Sequence, residues 1–294
     1  MDIEEIESYR KAGKIAKQVC DFARSFVKQG MPLIEIADNI DEKIKELGAE
    51  PAFPVNLSLN EVAAHYTPST DDKTIAEGLL KIDLGVCVNG YIADTAFSLD
   101  LTEEKKFEEM IKLNEEALNN AISKLNVNSK IKDVGKAIQE VVKNSHFSVI
   151  KNLSGHSLGK NKIHAGLIIP NYENENNTEL KNMAFAIEPF LTAGSGEVYE
   201  GKESEIFILK KDRPVRDPQE RELLKFIKEN YSTRPFCKRW LEKKNLKNLG
   251  FHLKNLTKQG ILYNFPVLIE KSKSPVSQAE HTILIADKVE VVTK

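Results

Sequence analysis

The sequence predicts an α+β protein that is β-rich, passes through a basic helical segment late in the chain, and returns to strands. Three observations carry this reading. Helical periodicity runs through residues 4–47. Two β-type runs meet at Asn89-Gly90. From residue 210 the composition turns basic and helical before strands resume near 261. At ~150 residues per domain, 294 residues make one large domain or two ordinary ones.

The elements follow in order. Ile6, Ala12, Ile15, Ala16, Val19, Ala23 and Phe26 recur mainly at spacings of three and four, which predicts a helix over 4–29, with Gly30 placed for a left-handed end. A second helix is expected over 33–47, closed by Gly48. Residues 51–58 read as a short extended segment. Residues 79–101 give the clearest strand signal, because an Asn-Gly pair between β-type runs suits a type I′ turn, with positive φ at both central residues. Thr102 is expected to open a charged helix to about 124, and 131–144 reads as another. Residues 183–191 and 205–211 read as strands. Asp217-Pro218-Gln219-Glu220 is a helix start, with an Asp cap, Pro in the first position and Glu three residues after the cap. Helices are expected over 218–230, 237–244 and 247–259, the last ending at Gly260. Residues 261–269 read as extended, with closing strands near 281–285 and 289–292.

Composition excludes several classes. Hydrophobic residues are 41% and charged residues 29%, which fits neither a disordered linker nor a membrane protein. Forty-two Lys+Arg against 44 Asp+Glu leave −2, too balanced for a chain that coats nucleic acid with its whole surface. The apolar runs are far short of the ~20 residues of a membrane helix. The first residues are charged and lack the apolar core of a signal peptide, so a cytoplasmic protein is expected. Cys20, Cys87 and Cys237 are odd in number and widely spaced. They support neither a disulfide framework nor a Cys-only zinc site, and reduced thiols are the simplest reading.

The residues that carry chemistry begin at the hairpin. If Asn89-Gly90 is the turn, Val88 pairs with Tyr91 and Gly85 faces Asp94. Asp83 and Asp94 are then diagonal neighbours on one face, with Gly85 leaving open space opposite Asp94. Two carboxylates on an apolar hairpin are costly unless a positive charge compensates, and a divalent cation would do so. The alternative is a wet face. His156 and His164 share a Gly-rich stretch, where glycine often marks a close approach to a ligand; each also fits a hydrogen-bonded core position. Strand alternation puts Glu188 on the small-residue face of 183–188, suited to a site floor or to an edge strand. Glu280 heads an apolar strand. Together, Asp83, Asp94, His156, Glu188 and Glu280 match a pair of divalent metals better than a structural zinc, which prefers Cys and His.

In this order and spacing, the five residues resemble the ligands of the methionine aminopeptidases, within the pita-bread metallohydrolases. LLKIDLGVCVNGYIAD resembles the type 2 signature, and AFPVNLSLNEVAAHYTP, SGHSLGKNKIHAG, AIEPF and EHTILI resemble the other family blocks in family order. The resemblance runs from about residue 3 to 292 and is closest to the compact archaeal form. It implies a pita-bread catalytic domain over 1–209 and 260–294, with a helical, winged-helix-like insertion over 210–259. It implies two divalent ions of Co, Mn, Fe or Zn. Asp83 would chelate one, Asp94 and Glu280 would bridge, and His156 and Glu188 would complete the other. Glu188 and His164 would be catalytic, the first moving a proton and the second donating to the carbonyl oxygen. His65 would contact the substrate near the scissile amide. Phe53 and Phe265 fall at pocket positions, where an aromatic slot suits a thioether. The implied function is removal of the N-terminal Met from nascent proteins with a small second residue, by a monomer without membrane contact.

Three positions depart from the family pattern: Gly78, Cys87 and Ala279, the last in place of an aromatic and expected to loosen packing beside the site. A prolidase- or creatinase-like hydrolase shares the metal set, but its usual extra domain has no room in the 82 residues before Asp83. A non-catalytic RNA- or protein-binding relative would have lost ligands. Residues 210–258 carry +9 against −11 elsewhere, so the insertion is expected either to dock on ribosomal RNA, through Lys238, Arg239, Lys243 and Lys244, or to be a solvated helix surface.

Overall fold

The computed structural model describes residues 1–242 and 247–294. The chain starts with helix α1 (Ile3–Phe26). Asp2 caps it through a reciprocal pair in which Glu5 N donates to Asp2 Oδ1 at 2.8 Å and Asp2 N donates to Glu5 Oε2 at 3.0 Å. Helix α2 (Leu33–Glu46) follows. The predicted first helix is too long by one turn, because Val27 is extended, and Gly30 (φ +83°) serves the turn between the helices rather than the helix end. Strands β1 (Glu50–Leu59), β2 (Val62–Ala64), β3 (Leu79–Val88) and β4 (Tyr91–Asp100) come next, and β1-β3-β4 form one antiparallel sheet. The apolar faces of α1 and α2 bury Ile15, Val19, Ile36 and Ile40 against Ile82, Leu84 and Val86 of that sheet.

The pattern of two helices followed by strands recurs. Helices α3 (Glu108–Ser123) and α4 (Ile131–Val142) precede β5 (Ser148–Val149), β6 (Ser154–Leu158), β7 (Ile168–Pro170), β8 (Met183–Ile187), β9 (Phe190–Thr192) and β10 (Val198–Leu209). Helix α3 begins six residues later than predicted. The Asp100 carboxylate accepts from Thr102 N, Thr102 Oγ1 and Phe107 N, and Lys105 takes φ +53°, so residues 101–107 form a capped turn. The predicted strand 183–191 is two strands in different sheets, broken at Glu188-Pro189. Proline has no N–H for a ladder, and Asn114 Nδ2 and Ala279 N take the Pro189 carbonyl instead.

Helix α5 (Pro218–Tyr231) starts at its Asp217 cap, followed by β11 (Phe236–Cys237), α6 (Lys238–Glu242) and α7 (Leu249–Lys258). The end of the expected 237–244 helix lies partly outside the described residues. Leu223, Ile227, Leu241, Leu253 and Leu256 give these helices a core of their own with Phe236, Ile261 and Leu262. The chain ends with β12 (Leu262–Glu270), β13 (Val276–Gln278), β14 (His281–Ile285) and β15 (Val289–Val291). Strands β15-β14-β8-β6-β7 form a five-stranded sheet over which α3 and α4 pack, and β11-β10-β12-β2 form a third.

Two links hold these parts together. Glu280 N donates to Ala96 O at 2.9 Å, and Thr282 Oγ1 bonds both Asp94 N and Asp94 O at 2.7 Å, tying β4 to β14. The α5–α7 segment is tied to α2 by Arg239, which has no exposed side chain and lies 2.6 Å from Asp38 Oδ1 and 3.0 Å from Asp41 Oδ2. Arg239 is therefore an internal anchor and not the outward charge the sequence suggested. Lys238 pairs with Glu242, and Lys243 and Lys244 lie outside the described residues. Among the described residues no helix is long and apolar enough to cross a membrane, and the three cysteines are free thiols.

Candidate metal centre

The β3–β4 hairpin builds the first half of the site. Asn89 (φ +53°) and Gly90 (φ +87°) make the two-residue turn, and Val88 pairs with Tyr91, Gly85 with Asp94 and Asp83 with Ala96. Asp83 and Asp94 thus share a face. The space over Gly85 is not open as expected. The Phe53 ring fills it, and a Cβ at position 85 would lie 2.3 Å from Phe53 Cε1. Glycine is required there so that Phe53 can enter the site.

The second half comes from the other sheet. β6 carries His156, the break after β8 presents Glu188, and the β13–β14 junction presents Glu280. Asn171 Nδ2 holds the Glu188 carbonyl at 2.7 Å. One ligand atom each from Asp94, His156 and Glu280 lies within 4.8 Å of the others, and the same holds for Asp83, Glu188 and Glu280. Glu280 belongs to both groups. Glu188 groups with Asp83 and Glu280.

Burial dominates the electrostatics. It pushes the Asp83 carboxyl up to about 7. It raises Asp94, Glu188 and Glu280 far above the carboxylate range, and the neighbouring acidic groups raise them further. Asp83 Oδ1, Asp94 Oδ1, both Glu280 carboxylate oxygens and His156 Nδ1 are buried without a hydrogen-bond partner. Burial, and then His164, lower the His156 imidazole to about 3, so it is neutral and free to act as a ligand. Crowded hard oxygen donors with orphaned lone pairs and one neutral imidazole fit divalent cations.

A cavity of about 240 Å³ opens over these groups. Phe53, His65, Asp83, Asp94, His156, His164, Glu188 and Phe265 line it with Ile206 and Pro235, and Glu280, which does not line it, is within 4.8 Å of the ligand atoms of Asp83, Asp94, His156 and Glu188. The structure thus brings all nine sequence-predicted site residues together. The His156 and His164 rings meet edge to face at 4.4 Å, and His65 meets Phe265 at 5.3 Å. Burial lowers the His164 pKa, with Lys210 adding to it. His65 takes φ +64°, held by its N–H donating to Asn56 Oδ1 at 2.7 Å. Its Nδ1 lies 3.0 Å from Pro266 O, and since a carbonyl only accepts, Nδ1 carries the proton. Burial lowers this imidazole to about 4, so it is neutral.

The sequence reading missed Gln278. Its Nε2 donates to Glu188 Oε1 at 2.8 Å and Asp83 Oδ2 at 3.3 Å, joining a carboxylate from each half. The available signal was its place two residues before Glu280. Two of the departures have physical settings. Gly78 takes φ +62°, and a Cβ there would meet Asn60 Oδ1 at 2.2 Å. Ala279 is buried and borders a separate cavity of about 220 Å³, lined also by Cys20, Thr95, Phe97 and Leu118.

Residues 7–212 match metallopeptidase family M24. The chain is 44% identical over 294 residues to the methionine aminopeptidase of Pyrococcus abyssi, covering 98% of this chain and 99% of that protein. The solved structure of a thermophilic Arx1 is similar in fold, with TM-score 0.86 at 15% identity over 99% of this chain and 91% of that one. The methionine aminopeptidase structure from Rickettsia prowazekii is similar too, with TM-score 0.71 at 22% identity over 100% of this chain and 98% of that one. The antiparallel sheets beneath paired helices are the pita-bread fold, and the carboxylate and imidazole groups fit the divalent metal that a metallopeptidase needs. The chain belongs to metallopeptidase family M24 and, within it, to the methionine aminopeptidases.

Proposed function

We propose that this protein removes the N-terminal Met from nascent chains whose second residue is small. The observation that carries this reading is one cavity of about 240 Å³ in which an aromatic slot, Phe53 and Phe265, adjoins both carboxylate groups. Asp83, Asp94, His156, Glu188 and Glu280 would hold two divalent ions, with Glu280 common to both groups. Bound there, the metal supplies Lewis acidity and lowers the pKa of a bound water from 15.7 to about 7.

The chain's own residues do the rest. Phe53 and Phe265 take the unbranched thioether side chain. His65 donates from Nδ1 to Pro266 O, so Nε2 is an acceptor and takes the N–H of the scissile amide. Neutral His164 donates its ring N–H to the carbonyl oxygen as negative charge develops there. Glu188 has a raised pKa and accepts and returns a proton through a carboxylate oxygen, while Gln278 fixes its orientation. Met-Gly, Met-Ala and Met-Ser peptides should be cleaved well ahead of Met followed by a bulky residue. Preferred cleavage of X-Pro dipeptides with varied X would favour the prolidase reading instead. Metal analysis of protein purified without added metal identifies the ions and their number.

The same reading makes the enzyme a cytoplasmic monomer, with residues 210–259 as an insertion in the catalytic domain that docks on ribosomal RNA. Exposed Lys225, Lys254 and Lys258 on α5 and α7 support docking, the last two one turn apart. Docking of this kind weakens steeply with salt because neutralised phosphates release counterions. Reversing these three lysines to Glu should reduce co-sedimentation with ribosomes while a free tripeptide is cleaved as before. Equal pelleting of the two proteins would leave the insertion as a solvated helix surface.

A further inference from the structure

The cavity does not end at the aromatic slot. Along β10, Phe207 and Leu209 pack into the core of α5–α7, so Ile206 and Ile208 project to the opposite side, and Lys210, just past the strand's end, lies on that side over Tyr263. Ile206 lines the cavity. On β12, Leu262 also faces the α5–α7 core, while Tyr263 and Phe265 face the cavity side, and Tyr263 is directly paired with Ile208. Phe265 touches His65 inward at 5.3 Å and Tyr263 outward at 5.1 Å. Tyr263 is 39% exposed, and Lys210 Nζ lies 5.3 Å from the centre of its ring. Lys210 is exposed and has no carboxylate partner among the described residues. The result is a two-stranded ribbon that continues the cavity wall outward, apolar at first and ending in a free ammonium.

We propose that this ribbon is a specificity surface for the substrate chain beyond its second residue, and that Lys210 selects an acidic side chain at residues three to five. The proposal rests on the Met-release reading and extends that same site. An extended peptide rises ~3.3 Å per residue, the same step as the strands beneath it. With its first side chain beside Phe265 and Ile206, its third reaches Tyr263 and Ile208, and its fifth reaches the level of Lys210. The ammonium leans back over the Tyr263 ring, so it meets side chains from the third to the fifth residue. The Tyr263 face holds the ammonium by cation–π attraction, which leaves its remaining donors for a carboxylate. A basic side chain in the same place meets like charge. An exposed pair of this kind changes affinity about twofold to fivefold in low salt and less as salt screens it.

The test compares kcat/KM for three substrates: Met-Ala-Ser, and two eight-residue peptides beginning Met-Ala-Ser and carrying either Glu or Lys at positions four and five. The wild-type protein should prefer the Glu peptide about fivefold at low salt, with the preference shrinking in 0.5 M salt. Lys210→Glu should invert the preference and Lys210→Gln should abolish it, both read as the ratio of kcat/KM between the two long peptides, in which any effect of the lost charge on His164 cancels. Equal use of the two long peptides by wild type, or an unaltered ratio in Lys210→Glu, overturns the proposal. Failure of wild type, loaded with divalent metal, to cleave Met-Ala-Ser would instead overturn the Met-release reading.

Discussion

Asp94 shows how one residue is committed to charge rather than to packing. It is buried, one carboxylate oxygen has no partner, and the other lies 3.6 Å from His156 Nε2. No cationic side chain among the described residues sits beside it, so burial and the Asp83 charge favour its protonated form, and its ionised form needs a bound cation. Asp94→Ala should take peptide turnover below detection while the circular dichroism spectrum stays native. Substantial turnover with metal restored would refute the ligand assignment. Gln278 acts one step further out, on Asp83 and Glu188. Gln278→Leu should weaken metal binding about tenfold to a hundredfold, read by competition with a fluorescent chelator, because groups that orient ligands typically contribute that much. Unchanged affinity would make the amide a packing residue only.

At the scale of elements, the ends matter most. The β10–β12 pair ends at Glu270, which is buried with both carboxylate oxygens engaged by Ser195 N and Oγ, Ser272 N and Oγ, and Ser274 N. Burial pushes this carboxyl up, but the bonds from Ser195 and Ser272 outweigh it and hold it at about 2 against an ordinary 4.5. Between those values the unfolded chain binds the proton and the folded one does not, so stability falls as pH falls. Glu270's contribution is therefore complete above about 4.5 and is lost as pH drops through 2. Urea unfolding of metal-free protein at pH 6, 4 and 3 should show a smaller drop in midpoint for Glu270→Gln than for wild type. Identical slopes would show that the charged form is not what these serines hold.

For the whole molecule, two contacts decide how the parts relate. The metal groups join both main sheets, since His156 of β6 and Glu280, just ahead of β14, complete clusters that include Asp83 and Asp94 of the β3–β4 hairpin. The α5–α7 segment is held by Arg239 against Asp38 and Asp41 of α2, with Trp240 Nε1 donating to Asp41 Oδ2 at 2.7 Å. Arg239→Met removes one partner and leaves Asp41 buried without its cation. Such a change typically costs 3–5 kcal/mol, and a loss of about 3 kcal/mol is expected here in urea unfolding. A change below about 0.5 kcal/mol would be a surface-pair result and would contradict the anchor.

Much of this protein is legible in its sequence because the governing interactions are local. The hairpin register follows from one Asn-Gly turn and the two-residue alternation of a strand, which together put Asp83 and Asp94 on one face. The start of α5 is marked within a few residues by Asp217-Pro218, and the ligand types declare their chemistry. The tertiary structure decided what no local rule contains. The space over Gly85 belongs to Phe53 from another strand, the end of β8 depends on a carbonyl taken by Asn114 and Ala279, and Gln278 matters only because Glu188 and Asp83 converge on it. Arg239 looks like a surface charge in sequence and is an internal anchor because α2, some two hundred residues away, presents Asp38 and Asp41 to it. Alternation and capping are set by a residue's neighbours along the chain, whereas burial and pairing are set by whichever distant segment the fold packs against it.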